Sequence, residues 1–232
     1  MPSPVEDRPG LLIRDPYRYS DAVLIIPPAL VPCLGCFDGE QSDLDLRAEL
    51  VRITGDLDVS ELEEHLVETL SASGFLEDDT YERIRRERQS EFAARPKRAP
   101  AHAGAAYPGD PAALREALGR HCAVEASAAD GLLGIAAPHV SPEGGWETYR
   151  AAYGALGPQY RDRTFVILAT SHYGEPERFG LTRKPFVTPL GESPTDADLA
   201  GRLEQAGGPA AQMEDFCHSF EQIGRASCRE RV

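Results

Sequence analysis

A chain of 232 residues, 41% of them hydrophobic, has room for one large domain or two small ones and enough apolar surface to bury a core. Its formal net charge of -14 leaves no basic field to draw phosphate, so nucleic acid is not expected as a partner. No apolar run reaches the length of a membrane span, the N-terminus MPSPVEDRPG has no apolar signal core, and five cysteines do not make a disulfide framework. A cytoplasmic protein with no membrane partner is expected.

In chain order, residues 8–31 hold short apolar runs, LLI and AVLIIPP, broken by Asp15-Pro16 and Pro27-Pro28; these predict short strands. SDLDLRAELVRI predicts a helix with Ser42 as N-cap and an apolar stripe of Leu44, Leu46, Leu50 and Ile53. DVSELEEHLVETLSASG predicts a second, with Leu62, Leu66, Val67 and Leu70 at helical spacing and Gly74 as its stop. A third, from Thr80 to Phe92, is dense in Glu and Arg. Two or three strands with three helices over residues 1–92 predict a small α+β, winged-helix-like module. Cys33-Leu34-Gly35-Cys36 has the spacing of a metal or redox pair. No second pair completes a zinc site, and the run is apolar, so packing is the expected role.

Residues 93–106, AARPKRAPAHAGAA, show no hydrophobic period and predict a linker. Beyond it the rhythm becomes β/α alternation over residues 107–221. Asp110-Pro111 caps the helix PAALREALGRH. GLLGIAA and TFVILAT predict buried strands, apolar on both faces as parallel strands are. Between them Glu147 to Leu156 predicts a helix with Tyr149, Ala152, Tyr153 and Leu156 on one face. FGLTRKPFVTPLG predicts a hairpin or excursion, and Thr195 with Asp198 a capping-box start to the last helix. The expected fold class is α/β with a parallel sheet, preceded by the α+β module.

The chemistry is expected at the strand ends. His139 follows GLLGIAA and His172 follows TFVILAT, so a βαβ unit would set both on the carboxyl edge of one sheet, where open α/β sheets bind ligands. Two imidazoles brought together there suit a divalent transition metal. His218, in FCHSFE, is a third candidate ligand. His65, His102 and His121 are assigned no role. Ser141 and Ser171 lack the Gly-x-Ser-x-Gly elbow of a serine hydrolase.

Two resemblances add to these readings. The run from Cys36 to Asp78 (CFDGEQ…GFLED) resembles PqqD-like modules, which implies a peptide- or partner-binding role, often by adding a strand to a sheet edge. AHAGAAYPGDPAALREAL, GIAAPHVSPEGGW, FVILATSHYG, LTRKPFVTPLG and CHSFE, in that order, resemble the Memo family, specifically protein B of the AmmeMemoRadiSam system. That resemblance implies a fold related to the class III extradiol dioxygenases, whose non-haem iron is held by two histidines and a carboxylate.

The Memo family's Pro-His and Ser-His motifs fall on Pro138-His139 and Ser171-His172. Its Glu-His-Ser-x-Glu motif falls on Cys217-His218-Ser219-Phe220-Glu221, with Cys217 in place of a Glu. The resemblance implies a metal-binding, redox-active protein with bound iron or copper, and His139, His172 and His218 as metal ligands. His218 and Glu221 are the catalytic candidates, with Glu221 orienting a histidine. It also implies radical SAM and AmmeCR-type proteins as partners. The competing expectation is a peptide- or protein-binding accessory module beside an inert α/β pocket.

The last ten residues, IGRASCRERV, carry three arginines and no apolar face. They can be encoded by the reverse complement of a common sequencing adapter, so residues 222–232 are expected to be foreign and the α/β domain to be a C-terminally truncated, inactive fragment. An exposed apolar sheet edge is the expected consequence.

Overall fold

The computed structural model describes residues 9–122, 131–139, 142–170, 172, 177–213 and 216–220. The chain divides into two compact units, Met1–Glu91 and Phe92–Val232.

In the first unit, β1 (Leu11–Arg14) pairs antiparallel with β2 (Val23–Ile26), Leu11 facing Ile26 and Ile13 facing Leu24. Asp15 shapes the turn between them. Its carboxylate accepts from the backbone N–H of Tyr17 at 2.8 Å, Tyr19 at 2.6 Å and Ser20 at 3.0 Å, satisfying donors that a loop would otherwise leave bare. A 3-10 stretch over Pro28–Phe37 follows, with a proline opening its first turn. Then come α1 (Asp43–Thr54), α2 (Ser60–Ala72) and α3 (Asp79–Ala94). Ser42 and Asp45 form a capping box at α1, the Asp45 carboxylate accepting from the Ser42 N–H at 2.8 Å. Gly55 and Gly74 end α1 and α2 in the left-handed region, with φ of 74° and 73°. At the second of these, Phe75 N–H returns to Leu70 O at 2.9 Å.

The core of this unit is Cys33, Leu46, Leu50, Val59, Leu66 and Leu70, with Ile53, Leu62 and Val67 packed against it. The predicted helical stripes are therefore the buried faces, with one correction. Leu44 sits in the first turn of α1 and is exposed, because the buried positions of that helix are Leu46 and Leu50. An ion pair between Arg47 and Glu63 links α1 to α2. The unit is α+β. Among the described residues it has a single hairpin, and the third strand left open by the winged-helix-like expectation is not found.

The second unit contains α4 (Pro111–Cys122), α5 (Pro142–Gly154), β3 (Phe179–Leu181), β4 (Phe186–Thr188), β5 (Gly191–Ser193), α6 (Ala197–Gly207) and β6 (Ala211–Met213). Asp110 caps α4, accepting from Ala113 N–H at 2.8 Å. β4 and β5 form the expected hairpin, with Phe186 opposite Ser193. β3 and β6 pair in parallel, Phe179 beside Ala211, with the hairpin and α6 as the crossover. The N-cap of α6 is Asp196, which accepts from Leu199 N–H at 2.9 Å, rather than Thr195. The Thr195 hydroxyl donates to Lys184 O at 2.9 Å instead.

Three further expectations need correction. Among the described residues the parallel pairing lies in β3 and β6, and GLLGIAA and TFVILAT join no strand ladder. Their side chains are not buried: Leu133, Phe165, Val166, Ile167 and Leu168 are 103%, 53%, 58%, 50% and 82% exposed. A parallel strand is covered only when neighbours and crossover helices close over it, and the described residues supply none for these segments. The helix between them starts earlier than predicted, at Pro142, which suits the first turn of a helix.

The stretch read as a linker is built into the second unit. Arg98 N–H donates to Pro185 O at 2.9 Å and Val187 N–H to Arg98 O at 3.0 Å, so residue 98 extends the β4 ladder. Within the same unit, Lys184 Nζ donates to the carbonyls of Ala93 and Arg95 at 2.9 and 2.6 Å. Isolated bridges and side-chain caps leave no period in the sequence, which is why the stretch reads as unstructured.

Candidate functional site

Two segments carry the candidate histidines. Residues 131–139 end at His139, and residues 164–170 lead to His172. The Tyr160 hydroxyl accepts from Leu132 N–H at 2.9 Å, tying the first segment to the turn before the second. The Thr164 hydroxyl donates to the Asp196 carboxylate at 3.4 Å, fixing the start of the second against the cap of α6. Helix α5 joins the two, with Tyr149 buried between Trp146 and Tyr153. Segment, helix and segment thus return the chain to the same side.

The result is a histidine pair. The rings of His139 and His172 stack with centroids 5.0 Å apart and planes 28° apart, and both side chains are exposed. Two imidazoles brought this close place nitrogen donors near one another.

His218 is not brought to this pair. It lies in the 3-10 turn Phe216–Ser219, and its ring sits at the Gly180 carbonyl of β3, with Nε2 at 3.2 Å. A carbonyl oxygen only accepts, so Nε2 carries the proton and Nδ1 is the basic nitrogen of the neutral ring. Among the described residues, no three His, Cys, Asp or Glu side chains gather into a group that would hold a metal ion. Glu221, Ser141, Ser171 and the tail 222–232 lie outside the described residues.

Three cysteines, Cys33, Cys36 and Cys217, take packing positions. Cys33 is 0% exposed, in the core of the first unit, and Cys36 packs partly buried against that core. Burial pushes both thiols up, with the neighbouring Cys36 and Glu49 adding to the rise at Cys33 and Glu49 at Cys36. A raised thiol is a poor nucleophile and a poor ligand at neutral pH. Cys217 is 1% exposed, facing inward beside buried Phe216.

Two residues around His218 escaped sequence reasoning. Arg98 donates from Nε to the His218 carbonyl, and its guanidinium lies 4.8 Å from the Phe186 ring centre. His102 Nε2 donates to Phe220 O at 3.0 Å. A signal was present: the first block of the family resemblance begins at Ala101, inside the stretch read as a linker.

The chain matches the Memo-like protein family over residues 98–222. A curated relative, a MEMO1 family protein from Aquifex aeolicus (strain VF5), is 27% identical over 194 residues, covering 84% of this chain and 51% of the relative. The chain thus spans about half the length of the curated relative it matches. The second unit has 232 - 91 = 141 residues, so that alignment takes in at least 194 - 141 = 53 residues of the first unit, and the relative shares that part of it too. No solved structure gives a significant match. No helix among the described residues is long and apolar enough to cross a membrane. The match covers more than half of the chain, and the ordered motifs around His139, His172 and His218 fall within it: the chain belongs to the Memo-like protein family.

Proposed function

We propose that the chain carries part of a metal-binding, redox-active protein of the Memo type, with His139 and His172 as two ligands of one iron or copper ion. The observation that carries this reading is the 5.0 Å pairing of their rings. An ion held by both would lie in the plane of each ring, about 2.1 Å from one nitrogen of each, so the stacked rings would turn to bind it. Imidazole is a suitable donor for both metals. A bound ion of this kind supplies Lewis acidity or one-electron redox chemistry.

Two donors are fewer than the three or four protein ligands a stable site usually has. In this reading the remainder comes from His218, held in its Nδ1-basic tautomer, and from the part of the family protein that this chain does not span. Glu221 would orient a histidine. The relation to extradiol dioxygenases, the cytoplasmic setting, and radical SAM and AmmeCR-type partners belong to the same proposal.

The test is metal content. A full-length Memo-family protein should lose its iron or copper, by elemental analysis, when the equivalents of His139 and His172 are both changed to Ala. Equal content in parent and variant would remove the assignment.

A second reading concerns the first unit. Among the described residues its β1–β2 sheet has two strands, and a peptide strand added to its edge would extend it. Titration of the chain with peptides encoded beside its gene should show binding at or below high micromolar concentration. No binding there would count against a peptide partner.

A further inference from the structure

The turn that carries His218 is held from outside itself. Its own residues, Phe216 to Phe220, offer one short 3-10 turn, which is weak in isolation. Arg98 reaches the carbonyl of His218, and His102 reaches the carbonyl of Phe220. Both donors come from one short stretch whose backbone is fixed at residue 98 by the β4 ladder. Arg98 is 4% exposed, so its charge is buried and its hydrogen bond to a carbonyl is strong for that reason. On the other side, Gly180 of β3 holds the ring of His218. Phe216 packs edge-on against both Phe92 and Phe220 and anchors the turn from below.

We propose that Arg98 and His102 are positioning residues: together they form a strap that clamps the 216–220 turn and fixes where His218 presents its ring. The importance of that presentation for metal binding rests on the reading of His218 as a ligand; the clamp itself does not. An arginine is suited to the first role because its Nε and planar fork can bond a carbonyl while the ring of Phe186 covers its face. A lysine keeps the charge and loses that geometry.

Cys217 makes the clamp measurable. It is 1% exposed, beside His218, and becomes reachable only when the turn opens. Trp146, the single tryptophan, lies on α5 and reports the folding of the second unit separately. The 232-residue chain and its Arg98→Lys and His102→Ala variants are pulsed with iodoacetamide, and alkylation at Cys217 is followed by peptide mass spectrometry. Loss of one such hydrogen bond should speed Cys217 alkylation about ten-fold in each variant, with Trp146 emission unchanged. The His218 ring resonance, assigned through His218→Gln, should shift in both.

Cys217 alkylation as slow as in the parent in both variants would overturn the strap. So would acceleration that comes only together with a shift of Trp146 emission, which is general unfolding. The ligand reading is separated by titrating the same chain and His218→Ala with Co(II). Indifference to His218→Ala, with Cys217 still released by the strap variants, would leave the clamp standing and remove His218 as a ligand.

Discussion

Leu50 and Leu168 are the same residue type, and the sequence places both in buried elements. Leu50 is 0% exposed in the core of the first unit, and Leu168 is 82% exposed in the second. The difference is one of range. The partners of Leu50 are Cys33, Leu46, Val59, Leu66 and Leu70, all supplied by helices and a 3-10 stretch close by in the chain. A parallel strand, which the sequence predicts over 164–170, needs partners brought from far along the chain on both sides, and loop closure must precede any reward from them. Apolar composition therefore marks where burial is wanted; only topology decides whether it is achieved.

The comparison can be broken at several points. Leu50→Ala should have the largest effect, a loss of about 2–5 kcal/mol in the stability of the first unit. Urea unfolding followed by hydrogen exchange in α1 and α2 would measure it, and exchange in α5 should stay unchanged. Gly74→Ala should cost less, about 1–2 kcal/mol, because residue 74 sits at φ 73° and an added Cβ would lie 3.0 Å from Ile84 Cδ1. Thermal unfolding of the same unit would register the loss.

A smaller effect is expected from pH. The Ser71 hydroxyl, with the backbone N–H groups of Tyr81 and Thr80, holds the Asp78 carboxyl below the usual carboxylate range. A group depressed in the folded state stabilises above its unfolded value of about 3.9, and that stability is lost as pH falls through the folded value. Asp78→Asn should thus flatten the decline of the urea midpoint below about pH 4. Least of all, Leu168→Lys should shift stability by no more than about 0.5 kcal/mol, since the side chain is already in water. It should also lower self-association in sedimentation velocity by breaking the exposed apolar run Phe165 to Leu168. A large destabilisation there would mean that the segment is covered after all, and the contrast with Leu50 would fail.

What the sequence made legible follows the same line. Helical periods named Leu46, Leu50, Leu66 and Leu70, because a stripe at helical spacing is a local property. Ser42 and Asp110 were readable as caps for the same reason, and Gly74 as a stop. The apolar-segment, helix, apolar-segment order named His139 and His172, and the family motifs fall on the same two residues; that order accounts for their meeting without a formed ladder between the segments. Arg98 and His102 were not legible: their roles arise from single hydrogen bonds to residues 218 and 220, far along the chain, and such contacts impose no pattern nearby. His218 was legible as a third candidate and the family motif falls on it, yet it sits at Gly180 rather than with the other two.

The most direct test of the histidine pair is a Cu(II) titration of the 232-residue chain read by electron paramagnetic resonance. A single bound ion should show nitrogen hyperfine structure from at least two imidazoles, and His139→Ala and His172→Ala should each remove one nitrogen from that pattern and weaken binding at least about ten-fold. An unchanged spectrum and unchanged affinity in both variants would contradict the account, because the 5.0 Å pairing would then be a contact between two side chains with no ion to share.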